Sequence, residues 1–276
     1  MTEKKPIITI RNLNLHLAKD HRDVHILKDV NHTIYPGEIW GIAGESGAGK
    51  SMTMYAMLSL LPEKRTTLTG NINYLEADGS YTDLLTMPFD KRNRYCADKV
   101  SIILQDSINA LNPFERIETQ WTETILFHRP DADKARIPGH IERLLRRFGI
   151  PGGKAVMKKY PHQLSGGQRQ RIAIAMALES GASILVADEP TTSLDTINQR
   201  KIIDFIVSLC KKNNLTMLYI THNLGIIQEI CTHVAVMRYG EVIERGTVDD
   251  VFGAPKADYT KSLILETLKL RGGHRQ

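Results

Sequence analysis

The chain has 276 residues, of which 42% are hydrophobic and 24% charged, and it carries a formal net charge of +5. That length suffices for one large domain or two modest ones with a well-buried core, and the composition is that of an ordinary globular protein. Apolar runs stop short of the ~18–20 residues a membrane-spanning helix needs. The N-terminal "MTEKKPIITI" lacks the apolar core and small-residue cleavage site of a signal peptide, so a cytoplasmic chain is expected.

In chain order, "PIITIRNLNLHL" and "DVHILKDVNHTI" alternate apolar and polar positions and predict two strands, joined by the polar turn "AKDHRD". "YPGE" is a turn and "IWGIA" a short buried strand. A helix is expected over Ser51–Leu61, stopped by Pro62. "TGNINYLEADGSYTDLL" reads as a hairpin with "DG" as its turn. Residues 107–182 are expected to be mostly helical: "HIERLLRRFGI" sets Ile141, Leu144, Leu145 and Phe148 at helical spacing, and "GGQRQRIAIAMALE" continues in helix formers.

From Ser183 a βαβ rhythm sets in. "SILVADE" is a buried strand and "QRKIIDFIVSLCKKN" an amphipathic helix. "LTMLYITH", "NLGIIQEIC" and the hairpin "HVAVMRYGEVIERG" follow. Near-continuous apolar strands alternating with helices predict a parallel sheet covered on both faces. No repeat or low-complexity tract interrupts it. Cys96, Cys210 and Cys231 lie far apart with no CxxC pair and are expected to be reduced, structural thiols. The basic residues occur in pairs, never in a run of five, which favours a solvated surface over a nucleic-acid-binding patch.

Three stretches carry chemistry. "GESGAGKS", Gly44–Ser51, fits GxxxxGK[ST]: glycines let backbone N–H groups converge on phosphate oxygens, Lys50 adds a point charge at the β/γ-phosphates, and Ser51 is placed for Mg²⁺. The nucleotide-contacting stretch is Gly44, Glu45, Ser46, Gly47, Ala48, Gly49, Lys50, Ser51 and Met52. "ILVADEP" ends a buried strand in two carboxylates, where the ligands of parallel sheets sit. Asp188 is placed for Mg²⁺ and Glu189 to polarise the attacking water. In "LSGGQRQR", Ser165, Gly166, Gly167 and Gln168 open a helix whose N-terminal N–H groups can face a second anion.

The last stretch resembles the signature of ATP-binding-cassette ATPases, and the resemblance covers residues 7–270. It implies an α/β P-loop NTPase cassette: a mainly parallel core sheet, an antiparallel β N-terminal subdomain and an inserted helical subdomain at 107–182. Residues 251–276 would form a C-terminal extension. In this family the signature of one subunit caps the γ-phosphate held by the loop of the other. Gln105 in "IILQD" resembles the Q-loop glutamine that reaches Mg²⁺ and couples to membrane subunits. "SLD", Ser193–Asp195, resembles the D-loop, with Asp195 crossing to the opposite site. His222 in "YITHN" resembles the switch histidine at the γ-phosphate. The adenine platform departs from the family pattern. Leu17 takes the best-matching position in "LNLHLAKDHRD", with His16 and His21 as alternatives and Tyr35 as a further aromatic.

"LQDSINALNPFERI" and "DVFGAPKADYTKSLI" resemble the peptide/nickel uptake subfamily. That resemblance implies ATP and Mg²⁺, a second ATPase subunit (a homologous partner, or a second copy of this chain when it is isolated), two membrane permease subunits, an extracytoplasmic solute-binding protein acting indirectly, and no nucleic acid. The location implied is the cytoplasmic face of the membrane. The absence of a C-terminal cysteine-rich segment places the chain near the shorter members, some of which import nickel or metal chelates, so peptide and nickel both stand. Leu111, Phe114 and Ile117 beside Gln105 are expected to line an exposed apolar groove for the permease. Soluble repair or ribosome-associated cassettes need a long coiled-coil insertion or a second cassette, for which 276 residues leave no room. The intact Lys50, Asp188, Glu189 and His222 argue against a purely regulatory module.

Overall fold

The computed structural model describes residues 4–19, 22–104, 111–191 and 196–272. Its strands are β1 Ile8–Lys19, β2 Arg22–Ile34, β3 Ile39–Ala43, β4 Thr66–Leu75, β5 Tyr81–Asp83, β6 Val100–Ile103, β7 Ile184–Asp188, β8 Thr216–Ile220, β9 His233–Arg238 and β10 Glu241–Thr247. Its helices are α1 Lys50–Met57, α2 Phe89–Lys99, α3 Ile117–His128, α4 Ile137–Arg147, α5 Gly153–Met157, α6 Gly166–Ala177, α7 Thr196–Asn213, α8 Leu224–Ile230, α9 Val248–Gly253 and α10 Asp258–Gly272. The chain divides into two units, Met1–Cys96 with Cys210–Gln276, and Ala97–Leu209.

The first unit holds an antiparallel sheet in the order β2-β1-β4-β5. Strand alternation fixes its buried face: Ile8, Ile10, Leu13 and Leu15 of β1 are buried, as are Leu27, Val30 and Ile34 of β2. Register shifts between Ile10 and Leu15 accompany left-handed backbone at Asn12 and Asp29 (φ 47° and 48°). There the side-chain oxygens of Asn31 and Asn14 accept the N–H groups of Asn12 and Asp29. The "DG" turn forms between β4 and β5, with the Asp78 carboxylate accepting the N–H and the hydroxyl of Ser80.

The same unit holds β3 in parallel register with β8 on one side and β9 on the other, and β10 returns antiparallel to β9. All five residues of β3 and of β8 are buried, as near-continuous apolar runs require. The β9–β10 turn carries positive φ at both Tyr239 and Gly240 (49° and 84°), the backbone a two-residue hairpin demands. A side chain at Gly240 would place its Cβ 2.1 Å from the Ile26 carbonyl oxygen, so only glycine fits there.

α1 ends at Met57, short of the expected Leu61. Ser59 adopts φ 54°, its N–H bonds to the Ala56 carbonyl, and the Leu60 N–H bonds to the Tyr55 carbonyl. This left-handed cap closes the helix before Pro62 can act. α2 and β6 escape the periodicity reading altogether. α2 is strongly polar and Cys96 is its buried residue, while β6 is only four residues long.

In the second unit, β6 and β7 pair in parallel from Val100↔Ile184 to Ile103↔Ala187. The helices α3 to α6 follow β6. Ile141, Leu145 and Phe148 are buried, as their spacing predicts. The helical layer is tied by the buried Glu179, whose carboxylate accepts from Trp121 Nε1 at 3.1 Å and His140 Nε2 at 3.0 Å and pairs with Arg129.

All three cysteines are buried and free, as expected. Burial pushes the Cys96 and Cys210 thiols up to about 12 and raises Cys231 as well, which keeps them protonated and unreactive. Among the described residues no helix is long and apolar enough to cross a membrane.

Candidate nucleotide site

The phosphate loop runs from the end of β3 to the start of α1. Gly44 takes φ 144°, and a Cβ there would lie 2.3 Å from the Met237 carbonyl oxygen, so glycine is what lets the loop pass β9. Gly49 caps α1 with φ 102° and no side-chain cap bond, leaving the first-turn N–H groups to the loop. Lys50 is only 7% exposed, and its Nζ donates to the carbonyl oxygens of Gly44 and Glu45 at 2.8 Å each. A buried ammonium thus stands at the positive end of a helix, with Glu45, Ser46, Gly47 and Ala48 in the loop before it and Ser51 and Met52 in the first turn. That donor set suits a polyphosphate anion.

His222 follows β8, the parallel neighbour of β3. Ile42 pairs with Ile220, and the Thr221 N–H bonds to the Ile42 carbonyl at 3.3 Å. The phosphate loop and the exposed His222 therefore leave the same C-terminal edge of two adjacent strands. Asn223 then caps α8 by accepting the Gly225 N–H.

The second unit carries the acidic pair and the signature. Asp188 is buried at the end of β7, and Glu189 takes φ 44°, a left-handed turn that is uncommon for a side-chain-bearing residue. Gln170 of α6 donates from Nε2 to the Pro190 carbonyl at 2.6 Å, and Gln199 donates to the Thr191 hydroxyl at 3.1 Å. Glu189 is thus followed directly by two anchored residues. Sequence reasoning missed Gln170, although its place two residues beyond Gln168 in "GGQRQR" was available.

Ser165 and Gln168 form a reciprocal cap: Ser165 Oγ accepts the Gln168 N–H at 3.3 Å, and Gln168 Oε1 accepts the Ser165 N–H at 3.1 Å. S-x-x-Q is the sequence form of this box. It leaves Gly166 and Gly167 as the first-turn donors that have no acceptor within the helix. Among the described residues, a Cβ at either glycine would meet nothing within 4 Å, so no described neighbour covers this helix end. Gln105 and Asp195, like Ser193 and His21, lie outside the described residues.

Around the base-platform stretch, Leu17 is half-buried and pairs with Val24. His16 stacks on His25 with ring centroids 4.1 Å apart and planes 14° from parallel. Asp23 holds the His16 ring at 2.9 Å and Asn14 holds His25 at 3.0 Å. His25 went unnoticed in the sequence because only the cross-strand register reveals it. Two residues along β2, Leu27 packs against Gly49 of the phosphate loop.

The expected permease groove needs correction. Leu111 and Ile117 are 4% and 0% exposed and belong to the core, whereas Phe114 is 88% exposed. α3 begins only at Ile117, and the turn that precedes it carries Leu111 inward while leaving Phe114 exposed.

Residues 27–192 match the ABC transporter family. The dipeptide transport ATP-binding protein DppD of Haemophilus influenzae is 33% identical over 258 residues, covering 94% of this chain and 76% of that protein. Among solved structures, cbiO1 from Clostridium perfringens, part of the ABC transporter complex cbiONQ, superposes with a TM-score of 0.73 at 26% identity, covering 98% of this chain and 96% of that one. The dimeric bacterial ABC transporter cassette MJ0796 gives a TM-score of 0.71 at 25% identity over 87% of this chain and 98% of that one. The α/β cassette fold read from the sequence is the fold observed, and the chain belongs to the ABC transporter family.

Proposed function

We propose that this chain is the ATP-hydrolysing subunit of an importer, acting at the cytoplasmic face of the membrane beneath two permease subunits and beside a second cassette. The carrying observation is Lys50: a buried ammonium held by loop carbonyls at the N-terminus of α1 has a natural exchange partner in the β/γ-phosphates of ATP. Peptides are the favoured cargo, because the similar Haemophilus protein is a dipeptide transport ATP-binding protein.

In this reading Gly44–Met52 bind the triphosphate. Ser51 and Asp188, with Gln105, would hold Mg²⁺; the set of hydroxyl, carboxylate and amide oxygens fits a hard cation. When bound, the ion neutralises charge on the phosphate oxygens. Glu189 orients the attacking water and accepts its proton as the water oxygen bonds to the γ-phosphorus and the bond to ADP breaks. His222 contacts the γ-phosphate. Ser165, Gly166, Gly167 and Gln168 of one cassette close over the nucleotide of the other, with Asp195 crossing between the sites. Gln170 holds the residue after Glu189, so the base is presented on a fixed turn.

Mg-ATP titration of wild type and Lys50→Ala tests the assignment. The variant should lose at least about tenfold in affinity, because it deletes a charge-assisted contact worth about 1.5–3 kcal/mol. Unchanged affinity would remove the phosphate-loop reading. Co-fractionation with membranes should depend on a co-expressed permease.

A further inference from the structure

The C-terminal segment reaches the phosphate loop. Glu244 of β10 accepts the N–H groups of Lys256 and Ala257 at 2.8 and 3.0 Å, which fixes the chain as it enters α10. Thr260, in the first turn, is buried. Between these anchors stands Tyr259, its ring 4.4 Å from the guanidinium carbon of Arg238 at the end of β9. Its hydroxyl accepts the N–H of Glu45 at 3.2 Å.

Glu45 is gripped from both sides. Its N–H goes outward to Tyr259, and its carbonyl accepts both the Ala48 N–H at 3.2 Å and the Lys50 ammonium at 2.8 Å. The segment Glu45–Gly47 is otherwise the exposed lip of the loop, preceded by Gly44 at φ 144° and ending in Gly47 at φ 80°. These two glycines give that lip backbone freedom, so an external bond has much to restrict. Burial, aided by the nearby Glu45 carboxylate, raises the Tyr259 pKa, so the phenol stays protonated at neutral pH.

We propose that Tyr259 is a positioning residue of the nucleotide site: by holding the Glu45 N–H it sets the lip of the phosphate loop and, through the Glu45 carbonyl, the place of Lys50. The inference rests on reading Gly44–Ser51 as the loop that binds ATP. It makes the start of α10 part of that site, so that whatever displaces α10 changes nucleotide affinity, and bound nucleotide bears on α10 in turn.

The test compares wild type, Tyr259→Phe and Lys261→Ala. Phenylalanine keeps the ring under Arg238 and removes only the hydroxyl; Lys261 lies on the same turn, bonded to Asp258 and clear of the loop. Tyr259→Phe should raise the Kd for Mg-ATP by about three- to tenfold, the range of one neutral hydrogen bond. The kcat at saturating ATP should stay within about twofold. Amide exchange should quicken in the peptide containing Glu45 and not in β1 or β4. Lys261→Ala should bind as wild type does. Wild-type affinity in Tyr259→Phe would overturn the proposal, as would exchange that quickens across the antiparallel sheet, since that marks mere support of the fold. A wild-type protein that binds no Mg-ATP would instead bring down the phosphate-loop reading, and this inference with it.

Discussion

The side-chain amide of Gln170 donates to the backbone carbonyl of Pro190 at 2.6 Å, and Gln170 is only 1% exposed. This bond joins the helix that begins at the signature to the residue directly after Glu189. Pro190 has no N–H of its own to anchor the turn, so its carbonyl is a natural handle. Glu189 itself sits in left-handed backbone, which persists only where neighbours enforce it.

Gln170→Met keeps the side-chain volume and deletes the donor. Because Gln170 Oε1 has no hydrogen-bond partner among the described residues, the substitution also removes an unsatisfied acceptor, and the thermal midpoint should move little. The steady-state kcat should fall about tenfold or more, as misplacement of a catalytic group does, with ATP affinity nearly unchanged. A kcat within twofold of wild type would show that the Pro190 turn holds Glu189 without this bond.

Phe114 is the exposed member of the trio Leu111, Phe114 and Ile117. Phe114→Asp should therefore leave folding and basal hydrolysis within a few-fold and abolish transport in vesicles carrying the permease. Ile117→Asp, placing a carboxylate at a fully buried site, should instead lower stability by several kcal/mol. Normal transport by Phe114→Asp would move the docking surface elsewhere.

His32 is buried against the edge of Trp40, and its pKa is lowered from 6.5 to about 3 by burial first, then by Arg245 and His233. The folded state thus resists a proton that the unfolded chain accepts. Stability should be constant above pH 6.5 and fall as pH drops from there toward 3. This group alone costs about 2 kcal/mol between pH 7.5 and 5. Denaturant midpoints at the two pH values measure it, and His32→Phe should flatten the difference. An equal drop in that variant would assign the acid sensitivity to other groups.

Much of the fold could be read in advance because the signals are local. β3, β7 and β8 are near-continuous apolar runs, and the phosphate loop follows its strand directly. What escaped is what the sequence does not encode locally. α2 shows no apolar stripe, Ser59 closes α1 in a conformation usually left to glycine, and Leu111 and Ile117 turn inward where an exposed groove was expected. In the site, Lys50 and His222 were legible from motif and strand end. Gln170, His25 and Tyr259 were not, because their partners lie 20, 9 and 214 residues away along the chain.

ATP-driven pairing of two cassettes is tested most directly by the molar mass of Glu189→Gln in solution with Mg-ATP and with Mg-ADP. Glutamine keeps the shape of the side chain but cannot take the proton from water, so ATP should persist. The bound triphosphate then bridges Lys50 of one cassette and the Ser165–Gly167 helix end of another. The mass should be twice that of the chain in ATP, that of a single chain in ADP, and that of a single chain in ATP once Ser165→Arg is added. The same mass in ATP as in ADP would contradict such pairing.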